Sequence, residues 1–452
     1  MKRGSVMAKT KIMFCFDTED FTTIESTVAA ARIAKILEEE GCKGSFMTVG
    51  RVAQELIRNK RFDLIDVLNR HEINFHTKDH TVHPTLIEYT DLEDFNRAAG
   101  RLLKEECEGM GMVKAVFGNE NFYTAVPPGP SRSYAAMIIY SELGIPVYAD
   151  SILATKEGKD VFYCGALQLD YTIWFEGDVF EKDLSDGTVI NELKDRLAKR
   201  EKAIIYDHPN KFFFNQFWDA VNYNKKNLCE YGKWIPCNRR SDSDIEKYFN
   251  AYRTLIRSLK EDDRFEITTP GEYWESIKDK QNRTVKLEDI PAIKAALENN
   301  FEPVKEPVSL SISEIFDAAL NLLGGKSSYN VKRVYGFLKA PVGISEQTKV
   351  CASEVREAAA KIVRPDEGPF FLPETVNVGG KTLGAADFLF AMLETLCGKE
   401  EIILTPRPQL NSLDEFPELR DLNFKGTWIY SDDLQDNYLS DRLRWQCWTL
   451  RY

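Results

Sequence analysis

Three of the five histidines in this 452-residue chain stand within ten residues, FHTKDHTVHP, at positions 76, 80 and 83. A neutral imidazole is a metal ligand and a protonated one a proton donor, so the cluster has two possible chemistries. His76 and His80 are spaced i, i+4, and one helical turn would set both rings on the same face. Two such nitrogens with one carboxylate make a facial ligand set that leaves positions open for water and substrate. The segment FDTED supplies carboxylates in Glu19 and Asp20. His80 with His83 is a competing pair, and Asp79 is a further oxygen ligand. Hydrolysis at a metal also needs a base for the water and an acid for the leaving group. Asp17 and His208 are the candidates, with Asp150 or Asp207 to orient His208. Against this stands the plainer reading of an H-x-x-x-H as a solvated pair, and of His208 as a strand-end histidine bonded to backbone.

The elements that would position these residues alternate. KIMFCF has strand length and precedes STVAAARIAKILEEEG, where Ala30, Ile33, Ala34 and Leu37 form a helical stripe that Ser26 or Thr27 can cap and Gly41 can end. Further strands are expected at GSFMTV, EINF, VKAVF (113–117), IPVYA, LQLDYTIWF (167–175), KAIIYD and FEITT, with helices near 51–70, 91–108, 131–143, 188–201 and 242–260. Such alternation predicts an α/β fold with helices outside a parallel sheet, open or closed into a barrel, and of the two the (β/α) barrel is expected. Asp17, His76, Asp150 and His208 all fall at or just past the carboxyl end of an expected strand. That edge is where ligands and catalysis are found in parallel sheets.

Composition narrows the partners. A net charge of −12 lacks the basic face that nucleic acids and anionic membranes require. No apolar run reaches the roughly 18 residues of a transmembrane helix, and the N-terminus lacks the apolar core of a signal peptide. Nine cysteines are scattered singly with no CxxC pair, as reduced thiols in a cytoplasmic protein would be.

Five stretches, in order, resemble the polysaccharide deacetylase family (NodB-homology, carbohydrate esterase family four). FCFDTED resembles its first motif in a D-x-E variant, GSFMTVGRVAQEL a following strand, HEINFHTKDHTVHPTL its H-[ST]-x-x-H motif, VPPGPS its R-x-P-x-G motif and IIYDHPNKF its last. LGIPVYADS and FEITTPGEYWESI resemble further family elements. The resemblance implies a distorted (β/α) barrel over residues 1–278 and a divalent metal, usually zinc, held by Glu19, His76 and His80. It implies Asp17 as base, His208 as acid and an acetamido group as substrate. Two departures stand out: the motif glycine after the first acids is absent, and the arginine that holds the catalytic Asp falls on Ala125 or Val126. Arg132, a few residues on, is the candidate substitute. Backbone around Pro128, from Pro127 to Ser131, is the candidate oxyanion site, although proline offers no N–H.

Residues 279–452 lose the alternation and read as a mostly helical accessory domain. SLSISEIFDAALNLL (309–323) and TLGAADFLFAMLETL (382–396) look alike, either as repeats or as two ordinary amphipathic helices. LPETVNVGGKTLGAADFLFAMLETL resembles a pseudomurein-binding repeat, which would imply glycan recognition. Trp428, Trp445 and Trp448 either stack on sugars or pack in a core. Three functions follow from these readings. One is a metal-dependent hydrolase that deacetylates a carbohydrate, and another is a hydrolase of a cyclic ureide or imide, allantoinase-like. The third is a glycan binder on a degenerate barrel.

Overall fold

The structure is a computed structural model that describes residues 9–129, 132–182, 187–224, 229–424, 430 and 434–452. Ten strands form one sheet: β1 (Thr10–Thr18), β2 (Ser45–Thr48), β3 (Glu72–Phe75), β4 (Thr124–Ala125), β5 (Val147–Tyr148), β6 (Val161–Tyr163), β7 (Ala166–Gln168), β8 (Tyr171–Trp174), β9 (Lys202–Asp207) and β10 (Phe265–Thr268). They run in the order β6-β7-β5-β4-β3-β2-β1-β9-β8, and β10 joins β1. Every pairing is parallel except the β6–β7 hairpin. On one edge of β1, β2 takes the carboxyl half and β10 the amino half, while β9 runs along the other edge. The result is a curled half-barrel with β6 and β8 at its ends.

Side-chain alternation sorts each strand into two faces. In β1, Ile12, Phe14 and Phe16 face the outer helices, whereas Met13 and Cys15 join an inner cluster with Met47, Val147, Leu167 and Ile204. The outer face is sealed by aromatic packing: Tyr252, on the helix Asp242–Lys260, meets Phe14 and Phe16 edge-on at 5.8 and 5.6 Å. Asp17 continues the Met13–Cys15 parity and therefore points inward at the carboxyl end.

Several local expectations are corrected. VKAVF is the last turn of the helix Phe95–Phe117, because Val113 and Phe117 extend its buried stripe and Gly118 closes it at φ +73°. The stretch near 51–70 is two helices, Gly50–Arg58 and Phe62–Leu68. LQLDYTIWF is divided between β7 and β8. The first helix begins at Ile24 under Thr23, not Ser26 or Thr27, because the Ser26 hydroxyl donates to Asp20.

After the helix Pro270–Ile277 no further strand joins the large sheet among the described residues. The C-terminal part is helical, with three two-stranded antiparallel sheets: Thr284–Lys286 with Ser328–Asn330, Thr348–Cys351 with Glu401–Leu404, and Thr375–Val378 with Lys381–Gly384. Gly379 and Gly380, at φ +57° and +81°, make the two-residue turn of the last hairpin, where a side chain at either position would be strained. The look-alike segments form the helices Ile312–Leu323 and Ala385–Leu396, which meet through Phe316 and Phe388 at 5.9 Å. Trp448 is fully buried against Phe337 and donates to the Gln409 carbonyl, so it is core; Trp428 lies outside the described residues. Arg451 pairs antiparallel with Phe162 and ties the chain end to β6.

Candidate metal centre

The carboxyl ends of β1, β3 and β9 bring Asp17, Glu19, His76, His80 and His208 together. Glu19 Oε2 lies 2.7 Å from His80 Nε2 and 3.4 Å from His76 Nε2. All three ligand atoms fall within 4.8 Å of one another. Two donors held about 2.1 Å from one ion at 90–109° are roughly 3.0–3.4 Å apart; the Glu19–His76 contact already matches that span and the Glu19–His80 contact lies slightly below it.

The rings do not share a helical turn, contrary to the i, i+4 expectation. Residues 76–84 form a loop in which Thr77 and His80 adopt left-handed conformations, at φ +64° and +53°. Those two turns bring the ring centroids to 4.8 Å. Neighbouring helices hold the loop, with the Gly50 N–H on the Thr77 carbonyl and Glu106 accepting from the Lys78 N–H. A Cβ on Gly109 would stand 2.7 Å from Lys78 Cα, so glycine is what lets the helix approach.

The outer atoms of each ligand are also engaged, as metal-binding residues require. His76 Nδ1 lies 3.1 Å from the Val126 carbonyl, an acceptor that sets the proton on Nδ1 and frees Nε2. His80 Nδ1 is 3.2 Å from Thr81 Oγ1 and 3.7 Å from Asp219 Oδ2. Trp218 Nε1 donates to Glu19 Oε1 at 2.9 Å, leaving Oε2 for the histidines. Burial would raise Glu19, but the charges of His80 and His208 and bonds from His76 and His80 hold its carboxyl well below the usual range. Burial lowers His80, against Glu19. His76 is raised in spite of its burial, through Asp17 and Glu19.

Asp17 Oδ1 accepts a 2.6 Å bond from the Tyr171 hydroxyl, and Oδ2 is 3.7 Å from His208 Nε2. Tyr171 stacks on Tyr206 at 4.3 Å between ring centroids. Sequence reasoning missed Tyr171, Trp218 and Asp219. Trp218 and Asp219 stand on the short helix Trp218–Asn222, about 200 residues from Glu19, with no motif to mark them.

Other expected contacts are absent. Arg132 does not reach Asp17; its Nη2 donates to the Asp150 carbonyl at 2.8 Å and lies 3.5 Å from Asp150 Oδ2. Asp150 itself is pushed up to about 6 by burial, against the pull of Arg132. Asp207 does not orient the His208 ring. Alternation along β9 turns its side chain to the outer face, where it accepts from Tyr248 and from the His208 backbone N–H. His208 Nδ1 has no hydrogen-bond partner among the described residues. Asp20 turns away to Thr22 and Ser26, Asp79 pairs with Arg51, and His83 with Glu88. Pro128 is buried and has no N–H, and Pro130 and Ser131 lie outside the described residues.

Fold and site thus define an α/β half-barrel with a buried two-histidine, one-carboxylate cluster at its carboxyl edge. No family model matches the chain, and no curated protein matches it in sequence. Solved structures resemble it distantly. One is a Mycobacterium smegmatis protein provisionally assigned as a polysaccharide deacetylase (14% identity, 61% of this chain, 92% of that chain, TM-score 0.40). Another is the peptidoglycan deacetylase PdaC of Bacillus subtilis (12%, 60% and 93%, TM-score 0.32). A carbohydrate esterase family 4 pseudoenzyme from Bacillus anthracis also resembles it (13%, 57% and 63%, TM-score 0.33). Likeness at this level specifies neither activity nor substrate.

Proposed function

We propose that this protein is a zinc-dependent hydrolase of a carbon–nitrogen bond that removes acetyl groups from an N-acetylated carbohydrate. The observation that carries the reading is the convergence of His76 Nε2, His80 Nε2 and Glu19 Oε2, with Asp17 and His208 beside them. When bound, the ion would lower the pKa of a water and polarise the amide carbonyl. Asp17, aimed by Tyr171, is the carboxylate placed to accept a proton from an attacking water. His208 delivers a proton to the departing nitrogen, and it is the most exposed of the five groups, with 16% of its side chain accessible, where the leaving sugar amine must go. The order and spacing of the family-like motifs support acetamido hydrolysis. The absence of disulfides among nine free cysteines supports a reducing, cytoplasmic location. The resemblance of LPETVNVGGKTLGAADFLFAMLETL to a pseudomurein-binding repeat supports a glycan-holding role for residues 279–452.

The test is metal analysis joined to acetate release from N-acetyl-sugar oligomers, with wild type, Asp17→Asn and His76→Ala side by side. Stoichiometric metal, acetate release by wild type and loss in both variants are expected. Ring opening of ureides or imides without acetate release would replace the substrate class. A metal-free protein, or one whose sugar binding is indifferent to His76→Ala, would refute the hydrolase and leave a binding protein.

A further inference from the structure

Behind the β6–β7 hairpin, where the C-terminal part meets the half-barrel, lies a cavity of about 220 Å³. Four cations line it, Arg283, Lys332, Arg333 and Arg451, against the single carboxylate of Glu314. This excess of positive charge is local, in a chain of net charge −12.

The carboxylate is already spent. Arg283 grips Glu314 with two bonds of 2.7 and 2.8 Å, and Glu314 Oε2 also accepts from the Ser311 N–H. Arg451, only 8% exposed, comes no closer to Glu314 than 3.8 Å. Its other contacts are neutral: the Gln281 side-chain oxygen and the Phe162 ring, 3.9 Å from the guanidinium carbon. Asp160, another acid whose charge acts on Arg451, is engaged by Lys202 and Tyr273. Burial draws Arg451 down to about 10, against the pull of Glu314. A buried guanidinium without its own counter-ion is costly, and the cost falls when an anion enters. Arg333 is partly satisfied by Glu142 and the Ser141 carbonyl, whereas Lys332 is exposed at the rim.

We propose that this cavity is a binding site for a phosphate or phosphate monoester, separate from the metal centre. Planar guanidinium groups match the oxygens of a phosphoryl group, and the volume suits a small anion better than an oligosaccharide. Arg451 would hold the oxygens from within, and Lys332 would close the rim, while Arg283 stays paired with Glu314 and the Ser309 carbonyl. Because the site joins β6 to the chain end, an anion there would tie the two parts of the protein together.

Calorimetric titration of the full chain with inorganic phosphate, against chloride at matched ionic strength, tests this. Saturable binding in the millimolar range or tighter is expected, weakened at least fivefold by Arg451→Gln and severalfold by Lys332→Ala, whose exposed side chain is not needed for folding. A hexose phosphate binding more tightly than phosphate would identify a monoester as the occupant, and equal binding the free ion. Phosphate can also sit on a metal, so His76→Ala is titrated in parallel. Binding lost in His76→Ala but kept in both cavity variants would overturn the proposal, as would no saturable binding by wild type.

Discussion

Replacing Tyr171 with phenylalanine removes one hydroxyl and leaves the ring. That hydroxyl is 2.6 Å from Asp17 Oδ1 and makes the only side-chain hydrogen bond to this carboxylate among the described residues. Asp17 is only 5% exposed, so bulk water cannot readily replace the donor. A hydrogen bond to a charged group contributes about 1.5–3 kcal/mol, equivalent to roughly 10–150-fold in rate if it is needed to aim the base. The stack on Tyr206 survives in the variant, and the ring remains in place. The expected outcome for Tyr171→Phe is therefore a kcat for acetate release lowered 10–150-fold, with KM and metal content within about twofold of wild type. Arg132→Met is the counterpart, since Arg132 contacts Asp150 rather than Asp17. A kcat unchanged in metal-loaded Tyr171→Phe, or a larger loss in Arg132→Met, would refute the assignment of Tyr171 as the group that aims Asp17.

Further outcomes concern the metal and pH. Trp218→Phe keeps the ring packing but loses the bond to Glu19 Oε1, and zinc affinity measured by competition with a chromophoric chelator should fall about 10–100-fold. Chelation should lower the melting temperature, and added zinc should restore it in a concentration-dependent way, because the ion binds only the folded chain. Asp207, raised to about 7 mainly by burial, carries a proton in the folded chain that the unfolded chain has lost. Its contribution is present below about pH 4 and disappears as pH rises through about 7, so stability falls across that window. Asp207→Asn can keep both the His208 N–H and Tyr248 contacts, and melting curves from pH 4.5 to 7.5 should show a shallower decline than wild type.

Much of the site is legible because strand chemistry is local. A short apolar run followed by an acid or histidine marks a strand end, and the parallel arrangement carries those ends to one edge. Hence Asp17, Glu19, His76 and His208 could be nominated before any contact was known. Alternation along β9 would also have placed Asp207 and His208 on opposite faces, which the structure bears out through the Tyr248 contact. VKAVF was misread because valine and phenylalanine suit a strand and a buried helix stripe alike, and the helix Phe95–Phe117 prevailed through packing.

Tertiary structure alone decided what holds Asp17, Glu19, His76 and His80. Strict alternation would put Tyr171 on the same face as Ile173, yet Tyr171 packs inside the half-barrel and Ile173 outside. A register shift between them, with Tyr171 opposite Ile204 and Ile173 opposite Ile205, reverses the parity. Such a bulge depends on how β8 meets β9 and leaves no trace in the residues of β8. The same holds for the left-handed turns at Thr77 and His80, which come from a loop pinned between two helices rather than from a helical repeat. Residue type and period by themselves determined the parallel α/β arrangement and the edge where acids and histidines gather, while tertiary packing left the sheet an open half-barrel rather than a closed barrel. The aim of each side chain was settled by contacts between segments up to about 200 residues apart, which no local pattern encodes.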